Sequence, residues 1–205
     1  MSSKVVTVGL YQTNCYIVED SSFCGIIDPG DNIDAIKEVL EKEPTHILLT
    51  HNHFDHIGAL CALHKLYPKA LIAIGERDEI NNNIISLATK ALGPYFFNTI
   101  WASKDFEIPQ PNLYLKNGDV IGPLEVISTP GHTMGSVSYY NNKTKELYSG
   151  DTLFCQGYGR TDLGGSYEVL MKSLGVLLSL DEDVKVYPGH GCETTIGQEK
   201  DYLLN

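Results

Sequence analysis

The chain has 205 residues, of which 42% are hydrophobic and 20% are charged, and its formal net charge is -11 at pH 7. This apolar fraction is sufficient for a core, so the composition excludes a wholly disordered chain. The acidic balance argues against a nucleic-acid-binding protein, because phosphate binding draws its affinity from lysine and arginine.

The N-terminus and the apolar stretches predict a cytoplasmic protein. Residues 1–9 contain one lysine and no long apolar run, unlike a signal peptide. No apolar stretch approaches the ~20 residues needed to cross a bilayer, so no membrane partner is expected. The five cysteines include no C-x-x-C pair and are interpreted as reduced. Without a linker-like tract, residues 1–205 are predicted to form a single domain.

The first half of the chain predicts short strands that alternate with helices. Strands are expected at residues 5–8, 14–18, 23–27, 46–50 and 71–74. A strong turn is expected at residues 28–31. Helices are expected at residues 33–40, in a segment that ends near residue 68, and at residues 77–92.

The second half repeats this pattern. A strand is expected at residues 124–129, a hairpin at residues 136–140 and 146–148, and a last strand at residues 184–187. The spacing of leucines predicts a helix over residues 167–180 with Ser166 as its N-cap, and a short helix is expected at the C-terminus. At four places a predicted strand stops and a histidine or aspartate follows at once, which is how rigid strands present site residues on loops.

The densest group of such residues is an H-x-H-x-D-H motif after the predicted strand at residues 46–50. His51 and His53 are two residues apart and point to the same side of an extended chain. Asp55 and His56 follow on the turn into a helix. Imidazole nitrogens and carboxylate oxygens are ligands for zinc, iron or manganese, so the motif predicts a metal site.

Three further candidate ligands follow predicted strands and have glycine beside them. They are His132, Asp151 and His190. Glycine lets the backbone come close to a ligand. With the first motif, the chain offers five histidines and two aspartates, a set suited to two metal ions that share one carboxylate.

The order and spacing of these seven residues resemble the metallo-β-lactamase-fold hydrolases. Three segments are similar to the glyoxalase II and persulfide dioxygenase branch: Thr-Pro-Gly-His-Thr-Met-Gly-Ser, Gly-Asp-Thr-Leu-Phe and Gly-Arg-Thr-Asp-Leu. The segment from Gly189 to Glu199 resembles the short bacterial members of glyoxalase II (hydroxyacylglutathione hydrolase). This resemblance implies an α+β fold, an αββα sandwich of two mixed β-sheets flanked by helices, with the site at one edge of the sheets.

The resemblance also implies two divalent metal ions per chain, with zinc expected and iron or manganese as alternatives. One metal would be held by His51, His53 and His132. The other would be held by Asp55, His56 and His190. Asp151 would bridge the two together with a water or hydroxide.

The reaction implied is hydrolysis of a small-molecule thioester such as S-lactoylglutathione by the hydroxide between the metals. Two adjacent dications acidify that water, and a metal stabilises the oxyanion. Asp55 and Asp151 are the expected catalytic residues, Asp55 as a group that orients the nucleophile. A thiol has a pKa of only about 8.5, so its thiolate leaves without a dedicated proton donor.

The loop after Asp151 is expected to line the substrate pocket. Arg160 matches the basic position that contacts a glutathione carboxylate in glyoxalase II, and a guanidinium suits a carboxylate. The alternative is an arginine that only ties down the loop. Tyr158 is a second expected substrate contact, although glyoxalase II has a cysteine there, and Asp162 replaces its substrate-binding tyrosine. Since only residues 192–205 follow the last ligand, the C-terminal glutathione-binding domain of the full-length enzymes is not expected.

Other functions remain open at this point. A persulfide dioxygenase would use one iron at His51, His132 and Asp151, although Gly135-Ser136 and the complete second ligand set favour a hydrolase. A lactonase or other ester hydrolase of the same fold is a further alternative, and a non-catalytic module would bind metal without turnover. A monomer or homodimer is expected, and the aromatic stretch at residues 95–101 is interpreted as core or dimer contact rather than a flap over the site.

Overall fold

The computed structural model describes residues 2–80 and 108–204. Six strands form a first sheet in which the spatial order equals the chain order. They are β1 (Ser2–Val8), β2 (Thr13–Glu19), β3 (Cys24–Ile27), β4 (His46–Leu48), β5 (Leu71–Gly75) and β6 (Leu113–Leu115). The first three strands pair antiparallel, and β3 to β6 pair parallel, so the sheet is mixed.

The second half of the chain builds another mixed sheet. Its strands are β7 (Val120–Ile121), β8 (Leu124–Ser128), β9 (Val137–Asn141), β10 (Glu146–Gly150), β13 (Lys185–Pro188) and β14 (Thr194–Thr195). Their spatial order is β14-β13-β10-β9-β8-β7, and only β10 and β13 pair parallel. A separate two-stranded ribbon consists of β11 (Leu153–Phe154) and β12 (Gly157–Tyr158).

Five helices are described. They are α1 (Ile33–Val39), α2 (Phe54–Ile57), α3 (Leu60–Leu66), α4 (Tyr167–Leu177) and α5 (Ile196–Leu204). None of the helices described is long and apolar enough to span a membrane.

The alternation of side chains along the strands divides the core into three layers. Because successive residues of a strand point to opposite faces, Ile17, Ile26 and Ile47 pack on one side with α1 and α3. Their neighbours Val18 and Ile27 pack on the other side against the second sheet. The outer face of the second sheet packs against leucines at helical spacing in α4. This helix–sheet–sheet–helix order is the αββα sandwich expected from the sequence.

Most predicted elements are present with ends shifted by a few residues. The helix expected at residues 167–180 ends at Leu177, and Ser166 is at its N-cap position without a capping hydrogen bond from its side chain. The helix expected at residues 77–92 is wrong over residues 77–80, where the chain leaves β5 through a turn closed by Asp78 N–H and the Gly75 carbonyl. The rest of that segment and the aromatic stretch at residues 95–101 lie outside the described residues. The sequence did not indicate the short strands β6, β7, β11, β12 and β14.

Candidate metal centre

All seven predicted ligands lie on segments that follow strands of the two sheets. The H-x-H-x-D-H motif follows β4 and runs into α2, and the others follow β8, β10 and β13. Strands of both sheets therefore end at one place, and the loops there bring the seven side chains together.

Six of the seven candidate ligands form two groups of three. In the first, the ring nitrogens of His51, His53 and His132 lie within 4.8 Å of one another, and His53 Nδ1 is 2.9 Å from His132 Nε2. In the second, Asp55, His56 and His190 are equally close, with His190 Nε2 3.3 Å from both Asp55 Oδ2 and His56 Nε2. These are the two sets predicted from the sequence.

Asp151 lies between the two groups. Its Oδ1 is 3.4 Å from His56 Nε2, and its Oδ2 is 3.6 Å from His132 Nε2 and 3.5 Å from His190 Nε2. A carboxylate in contact with both groups occupies the position expected of a bridging ligand.

The side chains present fit divalent metal ions. His51 Nε2 and Asp151 Oδ1 are buried without a hydrogen-bond partner in the described part of the chain. Such atoms are costly unless something satisfies them. Since both point into a cluster of imidazole nitrogens and carboxylate oxygens, a cation is the partner that suits them.

Hydrogen bonds behind the imidazoles fix which ring nitrogen faces the centre. His132 Nδ1 donates to the carbonyl oxygen of Arg160 (2.6 Å), and His190 Nδ1 donates to that of Tyr11 (3.0 Å). His56 Nδ1 donates to Asp28 Oδ2 (2.9 Å). With its proton on Nδ1, each neutral ring has its lone pair on Nε2, which is the arrangement a metal ligand needs.

Asp28 is a site residue that the sequence analysis missed. Its carboxylate also accepts the Thr50 N–H (2.8 Å) and the Thr50 hydroxyl (2.6 Å), and that hydroxyl is 2.9 Å from His51 Nδ1. Asp28 therefore supports a histidine in each group. It directly follows β3, so the pattern of an acidic residue after a strand could have identified it as a site residue. The Asp-Pro-Gly-Asp sequence instead explained Asp28 as part of a turn.

The electrostatics of the two groups differ. Burial, together with the neighbouring imidazoles, lowers the pKa of His51 and brings the pKa of His53 to about 4. Burial also opposes charge on His56 and His190, but nearby carboxylates, Asp151 first among those of His56, raise their pKa values to about 9 and about 10. The second group thus sits in a negative field that attracts cations.

Of the two predicted substrate residues, Tyr158 is the last residue of β12 and Arg160 lies on the loop that follows the ribbon. The Arg160 guanidinium is 62% exposed and forms an ion pair with Asp162, with Nε 2.6 Å from Oδ1. Tyr158 is 40% exposed, and its ring lies 6.2 Å from that of Tyr167. Between them, Gly159 packs so closely that a Cβ there would lie 1.8 Å from the Asp151 carbonyl oxygen. The loop thus contacts the centre through its backbone, and its side-chain roles stay predictions.

A second buried carboxylate anchors the ribbon. Glu199 of α5 is 1% exposed and accepts hydrogen bonds from Gln156 N–H (2.8 Å) and the Thr194 hydroxyl (2.6 Å). Gln156 lies in the turn between β11 and β12 with φ 59°. Glu199 therefore ties the segment after Asp151 to the segment after His190.

Comparison with known proteins finds relatives that align over nearly the whole chain. The chain is 30% identical to hydroxyacylglutathione hydrolase GloC of Haemophilus influenzae, over 98% of this chain and 95% of that protein. It is 36% identical to the probable metallo-hydrolase YqgX of Bacillus subtilis, also over 98% and 95%.

Solved structures show the same fold over nearly the whole chain. TTHA1623 in a di-iron-bound form aligns with a TM-score of 0.80 and 33% identity, covering 97% of this chain and 98% of that one. The B3 metallo-beta-lactamase BLEG-1 aligns at 0.79 and 36%, covering 98% and 97%. ETHE1 from Myxococcus xanthus aligns at 0.75 and 28%, covering 98% and 83%.

The metallo-beta-lactamase superfamily matches residues 8–190, a range that contains all seven candidate ligands. The resemblance inferred from the sequence motifs is confirmed, and so is the fold. The chain belongs to the metallo-β-lactamase superfamily.

Proposed function

We propose that this metallo-hydrolase cleaves thioesters, with hydroxyacylglutathione-like compounds as the substrate class. The observation that carries the proposal is the Asp151 carboxylate, which lies 3.4–3.6 Å from imidazoles of both three-ligand groups. A shared carboxylate between two complete sets is the arrangement for two metals acting on one substrate.

Each group would hold one ion: His51, His53 and His132 the first, and Asp55, His56 and His190 the second. Two such ions would supply an acidified water and a polarised substrate carbonyl. Imidazole and carboxylate ligands suit zinc, iron and manganese alike, so the side chains do not select among these metals. Zinc is the metal we expect. The similar protein TTHA1623 was solved in a di-iron-bound form, which supports a two-metal centre of this kind.

Residues of the chain would orient the attacking water and contact the substrate. Asp55 is the residue that would orient the attacking water, since its Oδ2 lies beside His190 at the centre. Gly189 leaves room for the shared carboxylate, because a Cβ there would lie 2.2 Å from Asp151 Oδ1. The partly exposed ring of Tyr11, whose carbonyl accepts from His190 Nδ1, packs edge-on against Phe54 and would offer an apolar surface for the acyl group.

A thioester suits this centre better than an amide. Thiolate is a good leaving group, with a thiol pKa of about 8.5, so cleavage needs no separate proton donor. The name of the Haemophilus influenzae relative, hydroxyacylglutathione hydrolase, supports the same substrate class.

The direct test is hydrolysis of S-D-lactoylglutathione by metal-analysed protein, followed through the loss of thioester absorbance. We expect turnover that a chelator abolishes and added metal restores. Turnover that survives complete metal removal, or a metal-loaded protein that cleaves no thioester in an acyl-chain panel, would contradict the proposal.

A mononuclear iron persulfide dioxygenase is the second candidate, and the ETHE1 neighbour fits it. One iron would then lie at His51, His132 and Asp151. A single iron held there would not need the group of Asp55, His56 and His190 as ligands, so the presence of that complete group favours the hydrolase. Oxygen uptake on glutathione persulfide by iron-loaded protein distinguishes the two.

Lactone or β-lactam hydrolysis is a third candidate. Because the similar protein BLEG-1 is a B3 metallo-beta-lactamase, the assay panel should include a lactone and a β-lactam. We also propose that the protein is cytoplasmic and is a monomer or homodimer. We propose that it has no nucleic-acid or membrane partner.

A further inference from the structure

A buried carboxylate outside the seven ligands and Asp28 joins the two loops that carry the three-imidazole group. Asp78 follows β5, and its N–H closes a turn to the Gly75 carbonyl (3.0 Å). The residue is only 3% exposed. Its side chain lies between the loop that contains His51 and His53 and the loop that contains His132.

On the first loop, Asp78 fixes the residue between two ligands. Asn52 separates His51 from His53, and its backbone N–H donates to Asp78 Oδ2 (3.1 Å). The Asn52 side chain donates to the carbonyl of Glu79 (2.9 Å). The peptide that sets the spacing of the two imidazoles is therefore held at its backbone and through its side chain.

On the second loop, Asp78 fixes the residue directly after a ligand. The Thr133 hydroxyl donates to Asp78 Oδ2 (2.8 Å), and Gly135 N–H donates to Asp78 Oδ1 (2.8 Å). Ser136 Oγ lies 2.7 Å from the Thr133 hydroxyl and accepts the Thr133 N–H (3.0 Å). Since the Thr133 proton goes to Asp78, the Ser136 hydroxyl donates to Thr133.

The backbones at this joint approach too closely for side chains other than hydrogen. A Cβ on Gly135 would lie 2.2 Å from Asp78 N, and a Cβ on Gly75 would lie 2.0 Å from the Gly135 carbonyl oxygen. Glycine at both positions permits this approach. The carboxylate thus sits in a closely packed joint with three donors, and it has no freedom to leave them.

We propose that Asp78 is a positioning residue that holds His51, His53 and His132 in metal-binding geometry by joining their two loops. This inference rests on the proposed metal-dependent function. An asparagine cannot replace the carboxylate, because in either orientation its NH2 group faces a backbone N–H. Substitution of residues that orient metal ligands costs about 10- to 100-fold in metal affinity.

The test measures zinc dissociation constants by competition with a chromophoric chelator, without substrate. Asp78→Asn is made in two backgrounds: His190→Ala, which keeps the three-imidazole group whole, and His53→Ala, which keeps the second group whole. In the first background we expect the dissociation constant to rise about 10- to 100-fold. In the second we expect a change of about twofold or less, as for independent sites.

Two further variants keep the test decisive. Thr133→Val removes one of the three donors, so it should weaken zinc binding in the His190→Ala background by less than Asp78→Asn does. Asp119→Asn makes the same chemical change at an exposed turn, where the carboxylate accepts the Lys116 N–H, and should leave both constants unchanged. Thermal unfolding of the metal-free variants separates a loss of overall stability from a loss of metal affinity.

The proposed role of Asp78 is wrong if Asp78→Asn lowers the unfolding temperature but leaves the zinc dissociation constants unchanged in both backgrounds. It is also wrong if Asp78→Asn weakens zinc binding equally in both backgrounds. If the protein with all seven ligands intact binds no zinc, iron or manganese, the proposed function is wrong as well. If that protein binds zinc and Asp78→Asn binds it as tightly, only the role of Asp78 is refuted.

Discussion

Replacing Asp28 by asparagine tests how the second group of ligands is prepared for a metal. The carboxylate accepts three hydrogen bonds, two from Thr50 and one from His56 Nδ1. If the new amide turns its NH2 toward His56, Nδ1 must accept and the ring proton moves to Nε2. The lone pair that faces the centre is then lost. If the NH2 turns the other way, it faces the Thr50 N–H.

The size of the effect follows from these contacts. A hydrogen bond to a charged group contributes about 1.5–3 kcal/mol. Loss of one such bond corresponds to about a 10- to 150-fold change in a binding constant, since 1.4 kcal/mol is tenfold. We therefore expect Asp28→Asn to lose metal from the group of Asp55, His56 and His190 at chelator concentrations that leave the parent protein loaded.

The assay is metal content per chain after dialysis against graded chelator, read together with thioester turnover. Asp31→Asn is the matched control, because Asp31 lies in the same turn and its carboxylate accepts the N–H of its neighbour Asn32 instead of a histidine. Equal metal retention by Asp28→Asn and Asp31→Asn would refute the reasoning that the tautomer of His56 is set by Asp28.

Four further predictions follow from the centre and the loop beside it. Asp151→Ala should abolish thioester turnover with the circular dichroism spectrum retained, whereas wild-type rates would show that no shared carboxylate is needed. Arg160→Ala should raise KM for acidic thioesters more than for neutral ones. Asp162→Asn frees the guanidinium of Arg160 and should lower KM for acidic thioesters. Equal effects on acidic and neutral thioesters would show that Arg160 does not bind a substrate carboxylate. Glu199→Gln replaces an acceptor of two hydrogen bonds, so the unfolding free energy should fall by about 1–3 kcal/mol in denaturant titrations, and no change would count against the anchor. Asp151 and Asp55 raise the pKa of His190 to about 10 in the metal-free fold, so its charged form stabilises the fold fully below about pH 6.5 and this contribution is lost as the pH rises toward about 10. The unfolding temperature of metal-free protein should therefore fall over that pH range. An unfolding temperature that does not change with pH would contradict the pairing of His190 with these carboxylates.

The positions of the candidate ligands were predictable because strand ends are visible in the sequence. A short apolar run stops before His51, His132, Asp151 and His190, and in the structure each run overlaps a strand. The two groupings came from the family resemblance, since nothing in the spacing alone says which of five histidines share an ion.

The supporting carboxylates were not predictable from local patterns. Asp28 lies in a segment that reads as an ordinary turn, and Asp78 lies where helical periodicity was expected. Their roles depend on partners such as His56 and Thr133, which are far away in the chain and meet them only in the folded protein. Two-residue strands such as β11 and β12 escape prediction for the same reason, because their pairing is set by tertiary contacts such as that of Glu199 with Gln156.

The central claim is that two metals share one carboxylate. Anomalous diffraction from crystals of metal-loaded protein, collected at the absorption edge of the bound metal, tests it most directly. We predict two peaks per chain, one among His51, His53 and His132 and one among Asp55, His56 and His190, with Asp151 in contact with both. A single peak held by His51, His132 and Asp151, with the second group empty at saturating metal, would contradict the account and favour the mononuclear iron enzyme.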